Sequence, residues 1–259
     1  MIDHPTYRQS YSILYHDVDT NNVIKPTALA RLMQETAYRQ MRDRKPTYDE
    51  LFREGKSYVL IRYICQIPGV ILPYDVVDVD TWSELGKGAT FMRSHELSRN
   101  GEVVARAYAE WAVVNLETGR IYRTGEVDTE NLEKGPSLKL TLPKRFRMPE
   151  SVELKLCGNK KVRYTDCDKN LHMNNTNYQD VLWNMVPDAE HKRMTGFSFR
   201  FMTEAHNGAD VEIYRAKSPE VIPDDSGGTE SWYFRTMVGD NTNLEAIVNC
   251  TPCECYPVD

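Results

Sequence analysis

The sequence has no apolar run approaching the roughly 18 residues that a membrane-spanning helix needs. Its longest apolar stretch, residues 59–72, is interrupted by Arg62, Gln66 and Pro68. Mean hydropathy is -0.57, and the first residues lack the basic and then apolar pattern of a secretory signal. We therefore expect a cytoplasmic protein with no membrane span.

Cysteine is also sparse and unpatterned. Six cysteines in 259 residues lack the density of a small, secreted, disulfide-stabilised domain. Three of them, Cys250, Cys253 and Cys255, gather near the C-terminus without a histidine pair at zinc-ligand spacing. We therefore expect free thiols at the ends of strands rather than disulfides or a metal centre.

An excess of basic residues is missing as well. The net charge of -6 argues against a general nucleic-acid-binding protein. Basic residues do cluster locally, at 144–147, 160–163 and 191–193. Such clusters are usually solvated faces, but they also steer an acidic partner to one side of an acidic molecule.

What the sequence does contain is an internal repeat. Residues 15–21 read Tyr-His-Asp-Val-Asp-Thr-Asn, and residues 164–170 read Tyr-Thr-Asp-Cys-Asp-Lys-Asn. The Tyr, Asp, Asp and Asn positions recur at an offset of 149 residues, and Thr27 and Thr176 keep that offset. The repeat indicates a duplicated unit.

Each copy of the motif is followed by a helical pattern and then by strand patterns. Residues 26–41 predict a helix with Pro26 in its first turn. In the second half, Asn174 and Asn175 are good N-cap residues, and an apolar stripe runs on to a stop at Pro187. Strands are predicted at 58–61, 76–82, 90–97, 103–116, 121–122, 196–202, 209–216, 231–239 and 244–250.

This order predicts an α+β protein built of two helix-plus-meander units. The first unit spans residues 1–130, a linker with little strand pattern spans 131–150, and the second unit spans 151–259. A hairpin turn is predicted at Asn100-Gly101 and another at residues 117–119.

The repeated Asp-x-Asp-x-Asn also resembles the start of a calcium loop. That loop needs Gly at its sixth position and Glu at its twelfth, and both copies fail both requirements. Local turn formation by Asp and Asn explains the first copy fully.

The second copy carries additional chemistry. If residues 168–172 are extended, the side chains of Asp168, Asn170 and His172 share one face just before a helix. Free N–H groups at a helix start stabilise an oxyanion. The position equivalent to His172 in the first copy is Val23, so only the second copy has an imidazole. This asymmetry favours a catalytic role for the second copy.

The pattern Asp168-x-Asn170-x-His172-x-Asn174-Asn175-x-x-Tyr178 resembles the signature of acyl-acyl carrier protein (acyl-ACP) thioesterases. Residues 32–37 and 78–82 resemble that family's first helix and a Val-Asp-Thr-Trp strand. The resemblance covers roughly residues 11–250. It implies a double hotdog fold, with two tandem domains that each wrap an antiparallel sheet around a long helix.

The resemblance also implies a second carboxylate, which Glu204 in Phe-Met-Thr-Glu-Ala (201–205) supplies. Plant members of the family have a cysteine where this chain has Ala205, so a cysteine there is not required if the chain is active. The expected reaction is hydrolysis of acyl-ACP to a free fatty acid. Glu204, helped by Asp168, would activate water, or a carboxylate would attack directly.

In this reading, His172 and Asn170 position the water and the thioester, and backbone N–H groups near Asn174 and Asn175 hold the oxyanion. No cofactor and no metal are needed. The first domain would hold the acyl chain, with Met33 and Trp82 as candidate pocket walls. The acidic carrier protein would dock on a basic face. The candidate docking residues are Lys160, Lys161, Arg163, Lys192 and Arg193.

Two alternatives stay open at this point. An acyl-CoA thioesterase would share the fold and the chemistry, and a non-catalytic acyl-binding protein would use the pocket without turnover. The two units are expected to form a pseudo-dimer within one chain, and a further homodimer is left open.

Overall fold

The computed structural model describes residues 2–86 and 88–258. The first half contains β1 (Tyr7–Ser12), α1 (Pro26–Arg44), α2 (Tyr48–Arg53), β2 (Lys56–Gln66), β3 (Val76–Ser83), β4 (Phe91–Arg99), β5 (Glu102–Asn115) and β6 (Ile121–Tyr122). The second half contains β7 (Lys155–Lys161), α3 (Asn177–Trp183), β8 (Lys192–Phe201), β9 (Asp210–Lys217), β10 (Glu230–Val238) and β11 (Asn241–Pro252).

The strands form one continuous antiparallel sheet in the order β1-β3-β4-β5-β2-β8-β11-β10-β9-β7, with β6 beside β5. The order in the second half mirrors the order in the first. The halves are joined where β2 pairs with β8, from Arg62 opposite Arg200 to Gln66 opposite Gly196. The predicted α+β class and double hotdog arrangement are confirmed.

Most predicted elements lie where their patterns placed them. The helix predicted from Pro26 is α1, and it extends through Arg44. Asn100 and Gly101 both have positive φ, 53° and 82°, as a two-residue hairpin turn between β4 and β5 requires. The outer strands β1 and β7 were not predicted, because their polar and glycine-containing sequences lack a strong strand pattern.

The helix α3, which follows the second copy of the repeated motif, is much shorter than expected. It contains 7 residues and begins at Asn177 after an N-cap at Thr176, so the prediction of N-caps at Asn174 and Asn175 was wrong. The Asn174 side chain instead accepts hydrogen bonds from the N–H and hydroxyl of Thr176, at 2.9 and 2.8 Å. An Asn side chain that bonds nearby backbone favours a turn over a helix. Among the described residues, only α1 is a long helix.

Residues of the predicted linker cross the outer face of the sheet. Leu142 is buried against Ile64 and Tyr108 of the first half. The ring of Phe146 stacks on Tyr233 of the second half, with centroids 6.0 Å apart. This segment therefore packs against strands of both halves, while the exact domain boundaries stay a prediction.

The starts of α1 and α3 meet across the molecule. The Thr27 hydroxyl donates to the carbonyl of Thr176 at 2.8 Å, and the Thr27 N–H donates to the Asp180 carboxylate at 3.0 Å. The two repeated threonines are thus in contact. Among residues 2–86 and 88–258, no helix combines the length and apolarity needed to cross a bilayer.

Candidate active site

The two repeated motifs fold into matching turns. The N–H of Asp19 donates to the carbonyl of Val23, and the N–H of Asp168 donates to the carbonyl of His172, each at 2.9 Å. In both turns the aspartate side chain accepts the N–H two residues later, at 2.8 Å. The residue before Val23 or His172 has positive φ, 59° and 64° respectively.

This geometry corrects one step of the sequence argument. Residues 168–172 are not extended, so alternation does not place Asp168, Asn170 and His172 on one face. The three side chains nevertheless line the same cavity, because the turn folds the segment back on itself. A left-handed residue at Leu171 is the local feature that makes this reversal possible.

Glu204 reaches His172 through a short backbone pairing. The N–H of Met173 donates to the carbonyl of Ala205 at 2.8 Å, and His172 lies opposite His206 in an isolated bridge. This pairing brings Oε2 of Glu204 within 3.0 Å of Nε2 of His172. The rings of His172 and His206 meet edge to face, with centroids 4.4 Å apart.

The Asn170 amide is held from the first half of the chain. The hydroxyls of Tyr48, in α2, and Ser57, in β2, donate to its Oδ1 at 3.1 and 3.3 Å. These hydroxyls lie 3.0 Å from each other. Because Oδ1 faces them, Nδ2 points away, and no acceptor within the described residues takes its hydrogens. Both donors are therefore free for a bound substrate.

Burial tunes the titratable groups around the site. It raises the pKa of the Asp168 carboxyl, and the nearby His172 opposes that shift. Burial also raises the pKa of Tyr38 and of Tyr178 to about 12 each. At neutral pH these two phenols are therefore protonated and able to donate hydrogen bonds.

The site opens into a cavity of about 820 Å³, a volume within the range of ligand pockets. Both halves contribute to its wall. Apolar lining residues include Met41, Phe52, Phe91, Trp111 and Phe201. An apolar cavity that reaches a polar cluster suits a ligand with a long apolar chain and a reactive head group.

Part of the cavity wall is polar and buried. Arg93, which is 9% exposed, donates to Gln40 and Thr81, and burial lowers its pKa to about 10. The neighbouring His95 is 3% exposed, and its Nδ1 has no hydrogen-bond partner among the described residues. The buried guanidinium stays charged at neutral pH, and its hydrogen bonds go to the uncharged Gln40 amide and Thr81 hydroxyl.

Neither predicted wall residue lies on the cavity wall. Met33 is buried in the core, where its sulfur accepts the Tyr63 hydroxyl at 3.0 Å. The Trp82 indole donates to the carbonyl of Pro136 at 2.9 Å and packs against His4. Both side chains serve packing, so those two assignments were wrong.

The two predicted oxyanion donors differ in whether their backbone N–H is available to a substrate. The N–H of Asn174 donates to the carbonyl of Asp166 at 2.9 Å and is therefore unavailable to a substrate. The N–H of Asn175 has no acceptor in the described part of the chain, and Asn175 lines the cavity. Of the two, only Asn175 keeps a free backbone donor.

The five predicted docking residues do not form one face. Lys160 and Lys161 lie at the end of β7, where they pair with Asp166 and Asp210 at 2.8 Å, and Arg163 follows them, exposed. The sheet register places this end of β7 at the same end of the sheet as Phe201, the last residue of β8, with β9, β10 and β11 between them.

Lys192 and Arg193 lie at the opposite end of β8, opposite Pro252 and Thr251. Lys192 is 9% exposed and donates to Glu230 at 3.2 Å, and Arg193 donates to the carbonyl of Ile67 at 3.2 Å. Both cations are used inside the fold, so assigning them to a docking face with the β7 residues was wrong.

The structure gives no support to a cysteine nucleophile. All six cysteines are free thiols, and Ala205 is buried. Cys167, beside Asp168 in sequence, is absent from the residues lining the cavity. Burial and the neighbouring carboxylates raise its pKa, which disfavours the reactive thiolate.

Sequence reasoning missed Tyr48 and Ser57, which hold Asn170. They precede it by 122 and 113 residues, and neither belongs to a recognisable motif, so no sequence signal marks them. His206 was also missed, although its position two residues after Glu204 was a usable signal.

Comparison with known sequences covers most of the chain. Residues 4–130 match the sequence model described as "Acyl-ACP thioesterase N-terminal domain", and residues 150–247 match "Acyl-ACP thioesterase C-terminal domain". A chloroplastic palmitoyl-acyl carrier protein thioesterase of Gossypium hirsutum is 25% identical over 186 residues, covering 66% of this chain and 45% of that protein. A chloroplastic oleoyl-acyl carrier protein thioesterase 2 of Arabidopsis thaliana is 26% identical over 210 residues, covering 72% and 56%.

Two solved structures share the whole fold. An acyl-ACP thioesterase from Bacteroides thetaiotaomicron superposes with a TM-score of 0.81 at 18% identity, covering 95% of this chain and 98% of that one. The 12:0-ACP thioesterase from Umbellularia californica gives 0.80 at 17% identity, covering 95% and 94%. The chain spans about half the length of the curated relatives it matches.

Proposed function

The chain belongs to the acyl-ACP thioesterase family, and from this premise we propose that it hydrolyses the thioester of acyl-ACP to a free fatty acid and holo-ACP. One observation carries the proposal. The side chains of Asp168, Asn170, His172 and Glu204 meet at the wall of a largely apolar cavity of about 820 Å³. That arrangement supports the proposal, because a bound acyl chain could present its thioester head to these acid-base groups.

In the proposed reaction, Glu204 takes a proton from a water molecule as the water oxygen attacks the thioester carbon. His172, 3.0 Å from Glu204, orients the carboxylate and the water. Collapse of the tetrahedral intermediate breaks the C–S bond, and the proton held by Glu204 passes to the leaving thiolate. Water and thioester become carboxylic acid and thiol, with no other reactant.

Two groups are proposed to stabilise the oxyanion. The Asn170 amide directs its Nδ2 donors away from the hydroxyls that hold it, and the N–H of Asn175 is free. Preorganised donors of this kind lower the barrier because they are already aimed where charge develops. Asp168 is the proposed helper: it shapes the turn that carries Asn170 and lines the same cavity.

We propose a division between the two halves. Residues 1–130 would bind most of the acyl chain, residues 131–150 would link the halves, and residues 151–259 would carry the acid-base groups. The lining residues from α1, α2, β2, β4 and β5 support the first assignment. The contacts of Tyr48 and Ser57 with Asn170 extend the role of the first half to positioning the site.

The carrier protein is proposed to dock beside the cavity near the end of β7, where Lys161 and Arg163 are exposed. Reversing both charges should raise KM for acyl-ACP while changing kcat little, since rim charges act mainly on association. The control is Lys155→Glu, an exposed lysine at the other end of β7. An unchanged KM in the double variant would refute this docking face.

The decisive assay compares acyl-ACP and acyl-CoA thioesters of matched chain length, with the wild type and Glu204→Gln. Faster turnover of the ACP thioester, lost in the variant, is the expected result. A preference for CoA would indicate an acyl-CoA thioesterase. Binding without turnover would indicate an acyl-binding protein.

A single turnover in oxygen-18 water separates the two chemical routes. Direct attack by water places the label in the fatty acid and leaves the protein unlabelled. If a carboxylate attacks instead, it forms a mixed anhydride with the acyl group, and water that cleaves this anhydride at the enzyme carbonyl leaves label in Glu204 or Asp168. Label found in either residue by mass spectrometry of the peptides would therefore refute direct attack by water.

We also propose a cytoplasmic location and a pseudo-dimer within one chain. The six free thiols fit a reducing compartment, and the mirrored strand order supports the pseudo-dimer. The matched plant proteins carry the description chloroplastic, so fractionation of the source cells is the direct test of location. Sedimentation would show whether two chains associate further.

A further inference from the structure

We propose that His172, Glu204 and His206 form a binding site for a divalent transition-metal ion such as Zn²⁺, and that the bound ion blocks hydrolysis. One ligand atom from each of these three side chains lies within 4.8 Å of the other two. Nε2 of His172 and Oε2 of Glu204 are already 3.0 Å apart.

The donor set matches known zinc chemistry. Two imidazoles and one carboxylate, with a fourth position open to water, are a recognised ligand combination. Tetrahedral coordination with bonds of about 2.0–2.1 Å separates neighbouring ligand atoms by roughly 3.4 Å. That separation lies between the 3.0 Å contact of His172 with Glu204 and the 4.8 Å limit for the whole group.

The backbone holds these residues together while their side chains are free to adjust. The bond from Met173 N–H to the Ala205 carbonyl and the bridge between His172 and His206 fix the two segments. The side chains of His172 and Glu204 are 23% and 47% exposed, and His206 is exposed. Closing around an ion therefore requires rotation of side chains rather than movement of the backbone.

The inhibitory effect rests on the proposed function. His172 and Glu204 are the groups assigned to orienting and deprotonating water, and a bound ion would occupy the lone pairs needed for both tasks. His206 has no part in the proposed reaction. Replacing His206 therefore tests ion binding without removing a group that is assigned to hydrolysis.

Binding is tested first, without reference to activity. Metal-free protein is titrated with Zn²⁺ by calorimetry, and with Co²⁺ by visible absorption, for the wild type, His206→Ala and His206→Gln. The exposed His16 provides the control, His16→Ala. Binding by surface thiols contributes equally to all four proteins, so the difference between them isolates the His206 site.

We expect one ion per chain at this site, and at least about a tenfold loss of affinity in both His206 variants, since even outer-shell changes cost 10–100-fold. The Co²⁺ spectrum of His16→Ala should match that of the wild type. Equal affinity in the wild type and in both His206 variants would overturn the site. Using two variants guards against one that misfolds.

Inhibition is then measured by adding Zn²⁺ to the hydrolysis assay and dividing each rate by the metal-free rate of the same variant. The wild type should lose activity as its site fills, and His206→Gln should need at least tenfold more Zn²⁺. A rate that is unchanged or raised when the site is full would overturn the inhibitory role. Absence of hydrolysis in every metal-free sample would instead refute the proposed function and leave the binding result standing.

Discussion

The two repeated turns share the same backbone hydrogen bonds, but the first is covered by other parts of the chain and the second borders a large cavity. The first turn is covered by the C-terminal segment of the chain. The carbonyl of Asn21 accepts the N–H of Tyr256, and the Asn22 side-chain amide donates to the carbonyl of Tyr256 at 2.6 Å. Val23 borders a cavity of about 10 Å³, room for at most one water molecule. Around the second turn, Asn170 and His172 line a cavity of about 820 Å³.

The difference shows that the turn alone does not make a site. Both turns use an aspartate to fix the backbone, and both carry an asparagine two residues later. The amide of Asn21 donates to the carbonyl of Lys192 at 3.4 Å, whereas the amide of Asn170 is held through its oxygen by two hydroxyls. The neighbouring residues decide whether the N–H donors of the amide bond to the protein or remain available to a ligand.

The largest expected effect comes from the carboxylate found only beside the second turn. Replacing Glu204 with Gln removes the proposed base and should lower kcat for acyl-ACP by about 10²–10⁴-fold, the usual contribution of general acid-base catalysis. Steady-state kinetics measures this. Glu220→Gln, the same charge change at an exposed position of the same half, should keep the wild-type rate. If Glu204→Gln keeps a kcat close to that of the wild type, the proposed catalytic role of the region around the second turn would be refuted.

A smaller effect is expected from the first-half hydroxyls that hold Asn170. In the double variant Tyr48→Phe, Ser57→Ala, two hydrogen bonds are lost, each worth about 0.5–1.5 kcal/mol. We expect kcat to fall by about tenfold, with a smaller change in KM, because the amide is misaligned for the transition state. The exposed Tyr74→Phe serves as control. An equal rise in KM with constant kcat would show that the hydroxyls assist binding only.

The contact between the two repeats should contribute to stability. Thr27→Val removes the hydroxyl that donates to the Thr176 carbonyl at 2.8 Å and accepts the Asp180 N–H at 3.2 Å, so two hydrogen bonds between the helix starts are lost. We expect unfolding to become easier by about 1–3 kcal/mol, which lowers Tm by roughly 2–4 °C per kcal/mol. Thermal unfolding followed by circular dichroism measures the shift, and the exposed Thr20→Val should show none. An unchanged Tm in Thr27→Val would argue that the helix starts need no direct bond.

The smallest effect concerns pH. Burial raises the pKa of both Asp19 and Asp168 above the unfolded value of about 3.9. The folded state therefore binds these protons more tightly, and the free energy of unfolding falls as pH rises from about 3.9 through each folded pKa. Asp19→Asn and Asp168→Asn should each reduce that fall, as measured by urea unfolding between pH 4 and 7.

The same pair of variants also tests the division of roles. Asn retains an oxygen to accept the backbone N–H, so both turns should persist. Only Asp168→Asn is expected to lower kcat, because Asp19 lies in the closed turn. If Asp19→Asn lowers kcat as much, the two turns are not functionally distinct.

Local patterns were enough for much of the fold. Helix periodicity and Pro26 located α1, alternating and apolar runs located most strands, and the Asn100-Gly101 pair identified its hairpin. The repeat at an offset of 149 residues predicted two similar halves. These features depend on interactions among residues close in sequence, or on repetition itself, and both are visible without coordinates.

Other features depended on which segments meet. The 7-residue length of α3 follows from the Asn174 turn and the packing around it. Lys192 pairs with Glu230, and the Asn174 N–H bonds the Asp166 carbonyl. Neither group is therefore available to a ligand, although the sequence pattern predicted that both were. No local rule states which partner a charged or polar group will find.

By itself, the sequence determined the duplicated architecture and pointed to the residues now proposed as catalytic, because both are encoded in residue type and spacing. Only the tertiary structure decided that Tyr48 and Ser57 hold Asn170, that Val23 faces a closed turn, and that His206 lies against His172. The physical reason is that these contacts and the cavity form between segments far apart in the chain, from the 34 residues between His172 and His206 to the 122 between Tyr48 and Asn170, and their geometry is set when the sheet closes around the helices.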